Sequence, residues 1–502
     1  MIVQSGSLNT TALVVPGVYV QIQPPGTQPI NGVPSNIVGA VGVASWGPVN
    51  SPVFGSGIND LSRIFGPISN RQYDLATFVD IAAKQGSSVF ACVRVTDGTD
   101  VAATVAIQTN CLTVTSRYTG SLGNNIKVSI GPGSQSGTFS AIVAMPGVAA
   151  EKFDNLALGL SGNAIWVAIA AAINSGVYGA AGPSTMVVAT AGAGSTTPTT
   201  ATYSLATGTD GNGSVTATTL IGSDSNPRTG MYALRRTGAS VGILVDVTTQ
   251  ATFPTQVAFG LSEGVYMIGA AAAGESLSTS ATSKASNGVD SYAFKFCAGD
   301  WVRYLDTTTG VYRLTSPASW AAGKLGALSP EQSSLNKPLS AAVGTQTTEA
   351  NRVYSYAELQ VAGVAGIDLV INPSPGGRYF SMAYGHNSSS DPARQQDSYT
   401  RMTNYLSATL DANMGQWIGK LNKPSRPKAY ASLVAWLSTL QQQGMIDDFQ
   451  VTLDETNNPD TRVGLGYLQA DVKVRYQAII EKFLINLEGG QTVTISREPA
   501  LA

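Results

Sequence analysis

Residues 467–487 read YLQADVKVRYQAIIEKFLINL, and the first half of that stretch alternates strictly. Leu468, Ala470, Val472, Val474 and Tyr476 share one face, while Gln469, Asp471, Lys473 and Arg475 share the other. A period of two is the mark of a half-exposed sheet. Phe483, Ile485 and Leu487 extend the pattern, Gly489-Gly490 breaks it, and Thr492, Val493, Thr494 and Ile495 form a last short strand.

Ahead of this sheet the apolar period changes to that of helices. Met402, Tyr405, Leu406, Leu410, Trp417, Ile418 and Leu421 recur largely at spacings of three, four and seven. A second helix is expected to start near Pro427, turn Tyr430, Leu433, Val434, Leu437 and Leu440 inward, and stop by Gly444. At the other end of the chain, VVPGVYVQIQ (Val14 to Gln23) alternates again, with Val18, Val20 and Ile22 on one face and Tyr19 on the other. Each end therefore carries a short strand. Taken alone, the N-terminal one reads as pairing inside its own domain.

Between the ends, an apolar run at Ile37 to Ala44, a helix-like stretch from Tyr73 to Gln85 and the β-branched run Val89 to Val95 predict an α/β layer. Val241 to Val247, Val265 to Ala273 and Asp368 to Asn372 read as buried strands of the same sheet. From about Asp97 to Pro227 the composition shifts to Thr, Ser, Gly and Ala in short alternating runs, which predicts an inserted β-rich domain.

A chain of 502 residues exceeds what one hydrophobic core supports, so two to four domains are expected. Charged residues make up only 12%, about half of the usual ~25%, which suits surfaces that meet other subunits. A formal net charge of -2 with no basic run argues against direct nucleic-acid binding. Cys92, Cys111 and Cys297 are odd in number and form no C-x-x-C pair, so they read as buried thiols. The N-terminus has no basic region before its apolar stretch, and no apolar run approaches the ~18 residues that cross a bilayer. Neither a signal peptide nor membrane insertion is expected.

Catalytic and ligand motifs are weak. A serine protease needs a base and an orienting acid, and the only histidine, His386, lies in AYGHNSSSDP without a nucleophile segment anywhere in the chain. Asp210-Gly211-Asn212-Gly213-Ser214 lacks the closing acid of a calcium loop, and Ala322-Gly323-Lys324-Leu325 lacks the Ser or Thr of a phosphate loop. No catalytic residue, cofactor or metal is assigned. Lys420, Lys423, Arg426 and Lys428 cluster at the junction of the two helices, either as a solvated helix end or as a surface for a partner. The turn DETNNPDTRVG, with Asp454, Glu455 and Arg462, is the second candidate surface.

VVPGVYVQIQ followed by PINGVPSNIVGAVGVASWGPVNSPV and LSRIFGP resembles the N-terminal region of contractile phage-type tail sheath proteins. YTGSLGNNIKVSI and TGTDGN are similar to glycine-rich motifs of that family's middle region. INPSPGGRYFSMAYGHNSSSDP, the two helices and GMIDDFQVTLDETNNPDTRVGLGYLQADVKVRYQAIIEKFLINL carry the strongest resemblance. It implies a multidomain α/β and β fold. An N-terminal arm (1–23) precedes a discontinuous, non-catalytic subtilisin-like core (24–96 with 228–385). An outer β-rich domain (97–227) is inserted in that core, and a C-terminal assembly domain (386–488) and arm (489–502) follow.

In such proteins the arms add strands to a neighbour's sheet. Here the arm residues would be Val18, Tyr19, Val20, Ile22, Thr492, Val493, Thr494 and Ile495, and the acceptor Val451, Leu453, Val472, Val474, Phe483 and Ile485. The resemblance further implies hexameric rings that polymerise helically around a tail tube and contract. The partners would be the tube, baseplate and tail terminator proteins, and the particle would assemble in the cytoplasm of a host bacterium. The tube-facing surface would lie among Lys420, Lys423, Arg426, Lys428, Asp454, Glu455 and Arg462. The readings from other classes are a degenerate subtilisin-like hydrolase and a β-rich surface adhesin.

Overall fold

The structure, a computed structural model, describes residues 2–5, 19–22, 29–177, 182–306, 309–489 and 491, the first two segments as backbone only. Its centre is a six-stranded sheet in the order Phe294–Cys297, Tyr266–Ala270, Val241–Leu244, Ile37–Gly42, Val89–Arg94 and Pro52–Gly55. The first five strands are parallel and the last is antiparallel. Val38, Ala40, Phe90 and Ile243 face one core, and Val41, Ala91, Val93 and Met267 face the other. Burial on both faces explains why these strands read as unbroken apolar runs.

Helices cover both faces. Asp74 caps the helix Leu75–Lys84 by accepting the Thr77 N–H at 2.9 Å, and this helix packs on Pro317–Ala327. A Cβ at Gly323 would lie 2.6 Å from Ala82 Cα, so the would-be phosphate loop is a tight helix crossing, with Lys324 inside the helix. Phe253–Glu263 packs on the opposite face through Phe253 and Phe259.

Two strand expectations change. Phe294–Cys297 is an edge strand of the sheet although Lys295 interrupts its apolar run. Asp368–Asn372 reaches the sheet only through a bridge of Asp368 to Cys297, and Val370–Ile371 pairs instead with Ser381–Met382. The Asp368 carboxylate turns to Lys295 and to the amides of Tyr384 and Gly385, which draws this segment off the sheet axis.

The middle of the chain forms a four-stranded and a three-stranded antiparallel sheet around the helix Asn163–Ser175, with Phe153, Trp166 and Ile169 at its centre. Asp210 ties it to the central layer, receiving Arg71 at 2.7 Å and the Ser121 N–H at 2.6 Å. Val215, Ala217 and Leu220 already pack with the sheet-side core. Cys92, Cys111 and Cys297 are buried free thiols.

The C-terminal region stacks the helices Asp397–Met414 and Asn422–Gln442 on a hairpin of Ile446–Thr452 and Asp471–Tyr476. Met402, Leu406, Leu433, Trp436, Leu437 and Ile446 fill the space between. The first helix ends earlier than its apolar period suggests. Beyond Trp417 the chain turns out, leaving Ile418 84% and Leu421 78% exposed. The second helix begins at Asn422, ahead of Pro427, because Pro424 falls in the first turn, where amides lack helical acceptors. Pro427 is inside the helix, and Tyr430 is exposed rather than inward.

Candidate assembly interface

The C-terminal hairpin has one covered face and one wet face. Val472, Val474, Phe449 and Val451 pack toward the two helices, and Leu453 is buried just beyond the strand end. Asp471, Lys473 and Arg475 point outward, with Arg475 paired to Asp447. Among the described residues the sheet holds only these two strands, so each has an outer edge without a neighbour. Beside Asp471–Tyr476 lies an open groove of about 610 Å3 with Leu406, Leu410, Trp436 and Leu437 on its floor. The groove combines unpaired backbone with an apolar floor, the arrangement that accepts an added strand.

The chain leaves this hairpin without filling the groove. Residues 477–489 join no sheet, and Ile480, Phe483, Leu484, Ile485 and Leu487 are 77%, 81%, 84%, 70% and 90% exposed. Phe483 and Ile485, expected in one sheet with Val472 and Val474, therefore stand outside that two-stranded sheet. Past Tyr476 the chain turns toward His386 and away from the hairpin's free edges. A hydrogen bond of 2.8 Å between His386 Nε2 and Glu481 Oε1 anchors its root.

At the N-terminus, Ile2–Ser5 pairs in parallel with Tyr19–Ile22, so Val20 and Ile22 oppose Val3 and Ser5. This pair joins no other sheet among the described residues. Val18, Thr492, Val493, Thr494 and Ile495 lie outside the described residues.

The two candidate partner surfaces are adjacent. Lys423 Nζ lies 4.0 Å from Asp460, and the Asn422 amide donates to the Tyr467 carbonyl at 2.9 Å. Lys420 sits 4.7 Å over the Trp417 ring, Arg426 reaches Asn422 at 3.4 Å, and Lys428 is exposed. In the turn, hydrogen bonds from Thr456 pull the Asp454 pKa down, with Arg426 adding to the effect, Glu455 is exposed, and Arg462 stacks near Tyr467 and bonds Gln469. Basic cluster and turn thus form one mixed-charge face on which the exposed Ile418, Leu421, Leu465 and Tyr467 also stand.

Sequence reasoning missed the group that fixes this region to the central sheet. Lys295 is fully buried, with Nζ 2.6 Å from Asp368, 3.1 Å from Asp397 and 2.9 Å from the His386 carbonyl. The Tyr266 hydroxyl donates to Asp397 at 2.5 Å. Burial alone lowers the Lys295 pKa, but the two carboxylates outweigh it and leave it raised. Asp397 opens the first C-terminal helix, so one buried ion cluster joins sheet and helix. A lysine among Phe294, Phe296 and Cys297 was the signal available in the sequence. His386 itself faces Glu481 and Gln396, neither of which carries the hydroxyl or thiol that a protease base activates.

No protein-family model matches the chain, and no curated protein matches it. Among solved structures, the fold is that of contractile-tail sheath proteins. The sheath tail protein of Desulfitobacterium hafniense aligns over 88% of this chain and 94% of its own, with a TM-score of 0.59 and 16% identity. That of Listeria innocua aligns over 88% and 95%, with a TM-score of 0.60 and 15% identity. The sheath of an extracellular contractile injection system, PVC, in its contracted state aligns over 96% and 99%, with a TM-score of 0.54 and 10% identity.

Proposed function

We propose that this chain is the sheath subunit of a contractile tail, a structural protein that polymerises around a tube and drives it by shortening. The observation that carries the reading is the coexistence in one subunit of a groove that lacks a strand and an apolar extended segment that lacks a sheet. A head-to-tail contact between such features builds a helical array where its rotation does not close on itself. The segment from Gln477 onward and the N-terminal strand Tyr19–Ile22 serve as arms. The hairpin with Val451, Val472 and Val474 serves as acceptor, and the subtilisin-like layer acts as a non-catalytic body. Hexameric rings would stack around the tube, with the face of Lys420, Lys423, Arg426, Lys428, Asp454, Glu455 and Arg462 toward it and the β-rich insert outward. Baseplate and terminator proteins would cap the array. Contraction would follow from rigid-body repacking of these contacts while the arms keep neighbours joined.

Electron microscopy of the purified full chain tests the reading. Tubes or stacked rings are expected, and removal of residues 477–502 should leave a folded monomer that forms neither. A strictly monomeric full chain at high concentration overturns it.

A further inference from the structure

The chain holds three Asn-Gly pairs, Asn31-Gly32, Asn212-Gly213 and Asn287-Gly288. In such a pair no side chain on the second residue hinders its amide nitrogen from approaching the asparagine carboxamide. All three share the reactive dipeptide, so their surroundings decide which of them reacts. The nitrogen and the side-chain carbon must meet, and any contact that holds the backbone or the carboxamide elsewhere opposes that.

Two of the pairs are held. The Asn31 amide donates to Asn413 Oδ1 at 3.3 Å, and its carbonyl receives Asn413 Nδ2 at 3.0 Å. Gly32 rests on Tyr405 so closely that a Cβ there would collide with the phenol oxygen. Asn287 closes the helix Leu277–Ser286, its Nδ2 donating to the Ser283 carbonyl at 2.8 Å and the Gly288 amide to the Ala285 carbonyl at 3.1 Å. Reaction at either place has to break these contacts first.

Asn212-Gly213 is free. Both residues are exposed and lie in no helix or strand, in the loop that returns from the inserted sheets to the central layer. Among the described residues neither the Asn212 carboxamide nor the Gly213 amide has a hydrogen-bond partner. A Cβ at Gly213 would meet only Asp97 Oδ2, at 4.0 Å, so a ring has room to form. The loop is fastened on each side of the pair instead, and by one residue. Asp97, where the chain enters the insert, donates its amide to the Gly211 carbonyl at 2.7 Å and accepts the Ser214 amide on Oδ2 at 2.8 Å. Entry and return of the insert are thus clasped across the reactive pair.

We propose that Asn212 is a self-modifying site whose conversion loosens this clasp. The Gly213 nitrogen attacks Asn212 Cγ, the new C–N bond replaces the Cγ–Nδ2 bond, and the nitrogen's proton leaves with Nδ2 as ammonia. Solvent water then opens the cyclic imide at either carbonyl and leaves aspartate or isoaspartate. Either product places a negative charge beside Asp97, and isoaspartate also lengthens the main chain between Gly211 and Ser214 by a methylene.

Peptide mass mapping of the full chain, incubated at mildly alkaline pH both folded and in urea, tests the site. In the folded chain Asn212 is expected to convert several-fold faster than Asn31 and Asn287, and in urea the three rates should converge. Gly213→Ala should slow the conversion at Asn212. Limited proteolysis tests the consequence: aged wild type should be cut at the base of the insert faster than an equally aged Asn212→Gln variant, which cannot form the same imide. Conversion of Asn31 or Asn287 as fast as Asn212 in the folded chain, or the same ranking in urea, overturns the site. Equal cutting of the two aged proteins overturns the loosening. Neither measurement depends on polymer formation.

Discussion

The central sheet and the C-terminal hairpin are built from similar alternating or apolar strands, yet one is closed and the other open. Six strands with helices on both faces bury nearly every side chain of the central layer, and Lys295, fully buried in its edge strand, finds two carboxylates. The hairpin has two strands, helices on one face, and an open groove beside Asp471–Tyr476. A closed layer obtains its stability within the subunit. An open one leaves apolar surface and backbone groups for another chain, so the same kind of substitution should act on folding in the first region and on assembly in the second.

The largest effect is expected at the closed layer. Lys295→Met strands Asp368 and Asp397 as buried unpaired charges, which should cost about 3–5 kcal/mol and lower the melting temperature of the whole subunit. Polymer would then fail only as a consequence. A variant that melts like the wild type would break the contrast from this side.

The complementary change is Phe483→Asp combined with Leu484→Asp. Both side chains are more than four-fifths exposed, so the monomer's stability should move by less than about 0.5 kcal/mol. In an assembly that buries them, each would otherwise contribute about 1.5–3 kcal/mol, so polymer should be lost. A large fall in melting temperature would mean that the segment seats within its own subunit.

A pH test sharpens the closed side. Asp246 follows the strand Val241–Leu244, near where the chain reverses its direction across the sheet, and burial, reinforced by Asp74 and partly offset by Arg313, raises its pKa to about 6. The unfolded value is near 3.9, so the folded state holds the proton more tightly. This group's favourable contribution is therefore present at low pH and lost as pH rises from about 4 through 6. Asp246→Asn should be more stable than the parent at pH 7 by up to about 3 kcal/mol and nearly equal to it at pH 4. Equal denaturant midpoints at both pH values would remove Asp246 from the account.

The smallest effect belongs to the mixed-charge face. Changing Lys420, Lys423, Arg426 and Lys428 to Glu should leave the melting temperature nearly unchanged, since exposed pairs contribute roughly 0–1 kcal/mol. Tube attachment should weaken more at low than at high salt, because such charges are screened within ~8 Å at physiological ionic strength. Co-assembly that is unaffected at every salt concentration would discard this face.

The sequence by itself determined the elements whose signal is local. The apolar run at Ile37 became the sheet's central strand, alternation at Val472 and Val474 gave the hairpin's inner face, and a lone His386 without a nucleophile segment spoke against a protease. It also carried, in VVPGVYVQIQ and the C-terminal motifs, the resemblance that the fold comparison bears out. Three matters were decided only by tertiary structure. Lys295 finds its carboxylates 73 and 102 positions away, a distance over which no periodicity reports. Lys423 and Asp460, read as rival surfaces, meet because the turn folds back on the helix start. Phe483 and Ile485 continue the alternation of the hairpin but stand in solvent, since a period of two specifies which side chains share a face and not whether a second layer exists to cover it.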